Sequence, residues 1–172
     1  MSSYREIVTK AIIGKGKKSS KDEYNLQPET KPDTVLGCWV INHKFKGVRK
    51  GNDVVVDGSF DVNVWYSYDN DTKTTVESRN YSYSDTLNMK LDSLDSSSDD
   101  IIIKALKQPI VKDVKTKDGI INMTIEKELG VEVVGNTKVR IAVEEDYEEV
   151  YDEIKDLDND PELDNITEDY IK

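Results

Sequence analysis

Three kinds of residue in this chain could do chemistry: one histidine, one cysteine and many carboxylates. His43 is the only histidine among 172 residues and Cys38 the only cysteine. A thiolate–imidazole nucleophile needs its two side chains within hydrogen-bond reach. Five residues apart on an extended strand, these two fall on opposite faces about 16 Å apart. A structural Cys/His zinc cluster takes four such ligands, which this chain cannot supply. Among 35 Asp and Glu residues, no pair is singled out for acid–base work. Asp156, Asp158 and Asp160 match positions 1, 3 and 5 of a calcium loop. Pro161 and Thr167 then stand where that loop requires glycine and a bidentate glutamate, which leaves only diffuse attraction for divalent cations. Gly14 and Gly16 lie too close together for a phosphate-binding loop. The sequence therefore offers no catalytic, cofactor-binding or metal-binding residue, and a packed, hydrogen-bonded His43 is the ordinary reading of that histidine.

The elements that would position these residues are strands. Val35 to Tyr68 holds two long alternating runs joined by Lys50-Gly51-Asn52-Asp53. Alternation with period two is the pattern of a half-buried antiparallel hairpin. The first run puts Val35, Gly37, Trp39, Ile41, His43 and Phe45 on one face, with Cys38 opposite. The second puts Val54, Val56, Phe60, Val62, Val64 and Tyr66 on the core face, leaving Asp57, Ser59, Asp61, Asn63 and the out-of-pattern Trp65 outside. An aromatic on a polar strand face suggests contact with a partner, so Trp65, Asp61 and Asn63 are candidate interaction residues.

Upstream, Arg5–Ile13 reads as a strand, followed over residues 14–33 by a stretch of glycine, lysine, serine and two prolines whose first part, GKGKKSSK, is a basic connection. Downstream of an Asp69-Asn70-Asp71 turn, a polar strand runs from Thr72 to Tyr83. Its low hydrophobicity suggests an edge strand or an outward face, and an edge strand can recruit another chain, so Tyr81 and Tyr83 join the candidate interaction residues. Residues 91–100 are a polar loop. Ile101–Ile103 open a short apolar segment ending at Gln108-Pro109, and Ile110–Thr116 alternates up to a Lys117-Asp118-Gly119 hairpin turn. Ile121, Met123 and Ile125 continue beyond it. Val131–Val134 ends at a Gly135-Asn136 turn, and Val139–Val143 closes the body. About eight strands without a convincing long helix predict an all-β fold, an antiparallel β-sandwich or open barrel.

Charge divides the chain at Glu144. Residues 144–172 hold 14 acidic and 2 basic residues, a net of −12, against a chain total of −11. Residues 1–143 therefore carry 21 acids and 22 bases and form a β-rich domain large enough to bury roughly two-thirds of its unfolded surface. The tail places Tyr147, Val150, Tyr151 and Ile154 on one helical stripe. Like-charge repulsion predicts a segment mostly disordered alone and partly helical on a partner, so Tyr147, Tyr151 and Ile154 are its candidate anchors. No run approaches the ~20 apolar residues of a membrane span, and the amino terminus lacks the features of a signal peptide. The acidic balance argues against nucleic acid. A lone cysteine suits a reducing cytoplasm, with an intermolecular cross-link through Cys38 open to it after later oxidation.

Several strings resemble one family. YREIVTKAIIGKGKK at 4–18, LGCWVINHKF at 36–45 and DVNVWYSYDNDTKT at 61–74 are similar to the outer spore coat morphogenetic protein E (CotE) family of endospore-forming bacteria. KALKQP at 104–109, VEVVGNTKVRIAV at 131–143 and the acidic tail add weaker echoes. Cys38 stands where a glycine is expected, and Tyr147, Tyr151 and Tyr170 where tryptophan is expected. The resemblance implies a non-enzymatic scaffold made in the mother-cell cytoplasm, which self-associates around the forespore as part of the outer spore coat. It also implies partners: further copies of itself, other spore coat proteins and a basement-layer anchoring protein. A soluble module whose acidic tail captures one basic partner or cations is the alternative.

Overall fold

The computed structural model describes residues 3–91 and 100–143. Its strands are β1 (Ser3–Leu26), β2 (Thr34–Lys50), β3 (Asp53–Tyr68), β4 (Lys73–Asn88), β5 (Lys90–Leu91), β6 (Asp100–Lys117) and β7 (Ile120–Val143). They make two sheets, ordered β5-β1-β7-β6 and β2-β3-β4. The registers of β2–β3, β3–β4 and β6–β7 are antiparallel. β1 and β7 run antiparallel too, since Ser19 meets Glu128 while Lys21 meets Glu126. The fold is all-β and sandwich-like, with six long strands and a two-residue seventh among the described residues rather than eight.

The difference arises where polar or glycine-bearing stretches stay in a ladder. GKGKKSSK, expected as a loose basic connection, continues β1 to Leu26. Gly135-Asn136 does not turn, because β7 runs on to Val143. Pro109 sits inside β6, an outer strand whose register shifts between Lys107 and Ile110, the setting in which a sheet tolerates proline. The expected turns at Gly51-Asn52 and Asp118-Gly119 are present, with Gly51, Asp118 and Gly119 at φ of 64°, 53° and 78°. Asp69, Asn70 and Asp71 all adopt left-handed backbone, as short side chains with local hydrogen bonds can. β4 lies at the edge of its sheet, as its polarity suggests.

Two compact units can be told apart, Lys10–Asn136 and Met1–Thr9 with Thr137–Lys172. In the second, the described residues are the paired ends of β1 and β7, tied by Ser3 Oγ donating to Val143 O and by Arg140 to Glu6 at 3.1 Å. In the first, the core is two apolar clusters. One joins Val54 and Val56 of β3 with Leu87, Leu129, Val131 and Val133. The other joins Phe60, Val62, Val64 and Tyr66 with Leu26, Ile121, Met123 and Ile125. The alternation of β3 was legible in full, since every one of its predicted core residues is buried.

Candidate interaction surface

Between the two apolar clusters lies a polar seam. The inward alternation of β7 reads Ile121, Met123, Ile125, Lys127, Leu129, Val131, Val133, with Lys127 only 4% exposed. Its ammonium lies 2.9 Å from Asp85, 3.6 Å from Asp22 and 2.8 Å from Ser20 Oγ, and 4.1 Å above the Tyr83 ring. Lys18 adds a second cation 3.1 Å from Asp85. Burial pushes the Asp85 carboxyl up, but hydrogen bonds from Lys127 and Lys18 outweigh it and hold it below its usual range. Buried ion pairs persist when their lone pairs and protons are satisfied in this way.

His43 completes the seam. Its Nδ1 is 2.8 Å from Gln108 Oε1 and its Nε2 2.7 Å from the Tyr83 hydroxyl. With Nδ1 donating to the Gln108 carbonyl, Nε2 accepts the Tyr83 proton. Burial lowers the His43 pKa despite the Gln108 bond, and nearby Lys127 lowers it further. Burial, then Asp85 and Tyr24, push the Tyr83 hydroxyl up to about 12. Gly58 makes room for this ring, because a Cβ there would run into Tyr83. The histidine is thus packed and hydrogen-bonded, and it bridges β2, β4 and β6.

The first strand of the hairpin does not keep one face. Register shifts between Val35 and Gly37 and between Ile41 and Lys44 interrupt its ladder. At the second shift Asn42 takes φ 56°, and a bulge re-aims the side chains beyond it. Val35, Cys38, Val40, His43 and Phe45 consequently pack inward, while Trp39 and Ile41 turn out. Cys38 and His43 therefore share the inner side, contrary to strict alternation, and contact different residues. Cys38 Sγ lies 3.5 Å from Met123 Sδ, and burial pushes the thiol up to about 11. The thiol would have to be uncovered before it could form an intermolecular disulfide.

Outside, the three-stranded sheet carries an apolar patch. Leu36, Trp39, Ile41, Trp65 and Val76 are 44%, 42%, 41%, 42% and 53% exposed. In register, Gly37, Trp65 and Val76 form one row across β2, β3 and β4. Both indoles lie over bare Gly37, 3.5 Å (Trp39) and 3.6 Å (Trp65) from the position a Cβ would take. Rings laid over a strand glycine make a flat aromatic surface in place of a gap. Asn63 faces outward in the next row, beside Trp39. Asp61 lies one row further along, accepting from Asn42 Nδ2 at 2.9 Å and Asn80 Nδ2 at 2.8 Å, bonds that lower its pKa.

Of the sequence-derived interaction residues, Trp65, Asp61 and Asn63 thus come together on this face. Tyr81 and Tyr83 do not join them. Both point into the sandwich, Tyr81 against Phe60 with its hydroxyl donating to Asn25 O. Their strand lies at an edge, but their rings are inward. Tyr147, Tyr151 and Ile154 lie outside the described residues, as does the expected helix. Sequence reasoning missed Leu36, Trp39 and Ile41 on the outer face because nothing in the alternation announced the register shifts of β2, and it missed Val76 because β4 was read for its tyrosines. It missed Lys127 because the alternation of β7 was followed only to Ile125.

A sandwich-like all-β body with a flat aromatic outer face has the build of a structural protein. The family comparison gives the particular case: the outer spore coat protein E (CotE) model matches residues 3–172. The chain belongs to that family, and is accordingly a spore coat protein of the outer coat. No curated protein and no solved structure matches it.

Proposed function

We propose that the protein is a morphogenetic scaffold, made in the mother-cell cytoplasm, that self-associates around the forespore and recruits other coat proteins onto an anchoring layer beneath. The exposed patch of Leu36, Trp39, Ile41, Trp65 and Val76 carries this reading. Aromatic anchors ringed by polar groups are what association energy concentrates on, and Asp61, Asn63 and Asn80 flank them here. The occupant in this reading is the same face of a second copy. The acidic tail adds an electrostatic handle for basic coat partners.

Sedimentation of the purified full-length chain over a range of concentrations tests this. Each indole ring has roughly 60–100 Å² still to bury, worth about 2 kcal/mol. Trp39→Ser and Trp65→Ser should each weaken association on the order of 30-fold and leave the far-ultraviolet spectrum unchanged. Association unaltered by both substitutions would remove this face from the contact.

A further inference from the structure

Packing the aromatic face of one copy on the same face of another is an isologous contact, and such contacts close at two copies. A scaffold that extends needs a second contact between unlike surfaces. One cleft of the compact body has the chemistry for it. Lys15 and Lys17 of β1, Lys90 of β5 and Lys104 of β6 surround a cavity of about 460 Å³, together with Gly16, Asn88, Leu106, Gly130, Val131 and Glu132. Among the described residues only Lys104 has a carboxylate partner, Glu132 at 3.6 Å. The lining thus sets four lysines against one glutamate. Leu106 lies across Gly130, 2.9 Å from where a Cβ would stand, so the cleft has an apolar surface as well as a cationic rim.

We infer that this cleft receives the acidic tail, residues 144–172, of a second copy of the chain. The complementarity is direct. The tail carries 14 acids and 2 bases, against a rim of four lysines and one glutamate. Tyr147, Val150 and Tyr151 interrupt its acids and supply apolar side chains to set on the half-exposed Leu106. A tail entering a cleft is a heterologous contact, which propagates where the aromatic contact closes. Repetition along an array converts modest single affinities into firm assembly through effective concentration. This inference rests on the scaffold reading above and names its second contact.

The test is zero-length carbodiimide cross-linking of the full-length chain, with ¹⁴N- and ¹⁵N-labelled protein mixed before assembly. Expected are mixed-isotope cross-links from carboxylates of residues 144–172 to Lys15, Lys17, Lys90 and Lys104, suppressed by raised salt. The quadruple variant K15Q/K17Q/K90Q/K104Q should stop at dimers where the unaltered chain grows larger. Tail cross-links confined to one isotope, spread over all lysines, or absent from these four would overturn the inference. Large assemblies without the four cross-links would do so while leaving the scaffold reading intact. A chain that stays monomeric at every concentration would instead defeat the scaffold reading and this contact with it.

Discussion

Replacing Lys127 with methionine removes one cation from the middle of the core while keeping its length and most of its volume. Lys127 is buried, and its ammonium is 2.9 Å from Asp85, whose side chain is itself largely covered. Breaking one side of a buried pair costs about 3–5 kcal/mol, because the remaining charge is left without its partner. Lys18 stays 3.1 Å from Asp85 and is partly exposed, which places Lys127→Met at the low end, about 3 kcal/mol. Asp85→Leu should cost at least as much, because the one carboxylate left beside Lys127 among the described residues would be the half-exposed Asp22 at 3.6 Å, with Ser20 Oγ at 2.8 Å. The double change Lys127→Met/Asp85→Leu replaces the pair with apolar groups and should recover most of the loss, since such replacements are often neutral. Urea unfolding of dilute protein, followed by tryptophan fluorescence, reads all three. With a slope of about 1–3 kcal/mol per molar urea, each single change should lower the midpoint by about 1 M or more, and the double change by far less. A Lys127→Met protein as stable as the parent would refute the account of the seam, and additive single costs in the double variant would deny the coupling.

The same interior sets two further outcomes. Cys38, with its thiol pushed up to about 11 and turned to Met123, should react with iodoacetamide at pH 8 many-fold more slowly in the native chain than in urea; equal rates would place the thiol outside. His43 and Asp85 both have folded pKa values below their unfolded ones. The unfolded chain therefore takes up protons first as pH falls. The His43 contribution to stability is complete above about 6.5 and is lost as pH drops below it, and that of Asp85 is lost further down as pH falls through its folded value. His43→Asn should flatten the upper part of this fall in a pH series of urea midpoints, and an unchanged slope would contradict the half-buried, neutral histidine.

The second hairpin strand could be read from sequence because its alternation is unbroken from Val62 to Tyr66 and meets one neighbour on each side. The first could not, since a bulge at Asn42 reverses which side a residue faces without altering composition. Gly37 reads as a weak point in a strand until Trp39 and Trp65 are seen lying over it. The lysine-rich run from Lys15 to Lys21 looks like a loop, yet β7 offers it a ladder and Glu126 and Glu128 offer it side-chain partners. Long-range pairing of this kind outweighs local propensity. The buried Lys127 obeys the same rule in reverse: period two carried past Ile125 turns it inward, and Asp85 beside it offsets the cost of burying its charge.

Electron microscopy of the purified full-length protein at rising concentration tests the scaffold most directly. Extended sheets or filaments that grow with concentration, and that need a much higher concentration to form in the Trp39→Ser/Trp65→Ser chain, are the predicted result. Monodisperse single particles of one chain at every concentration would contradict it.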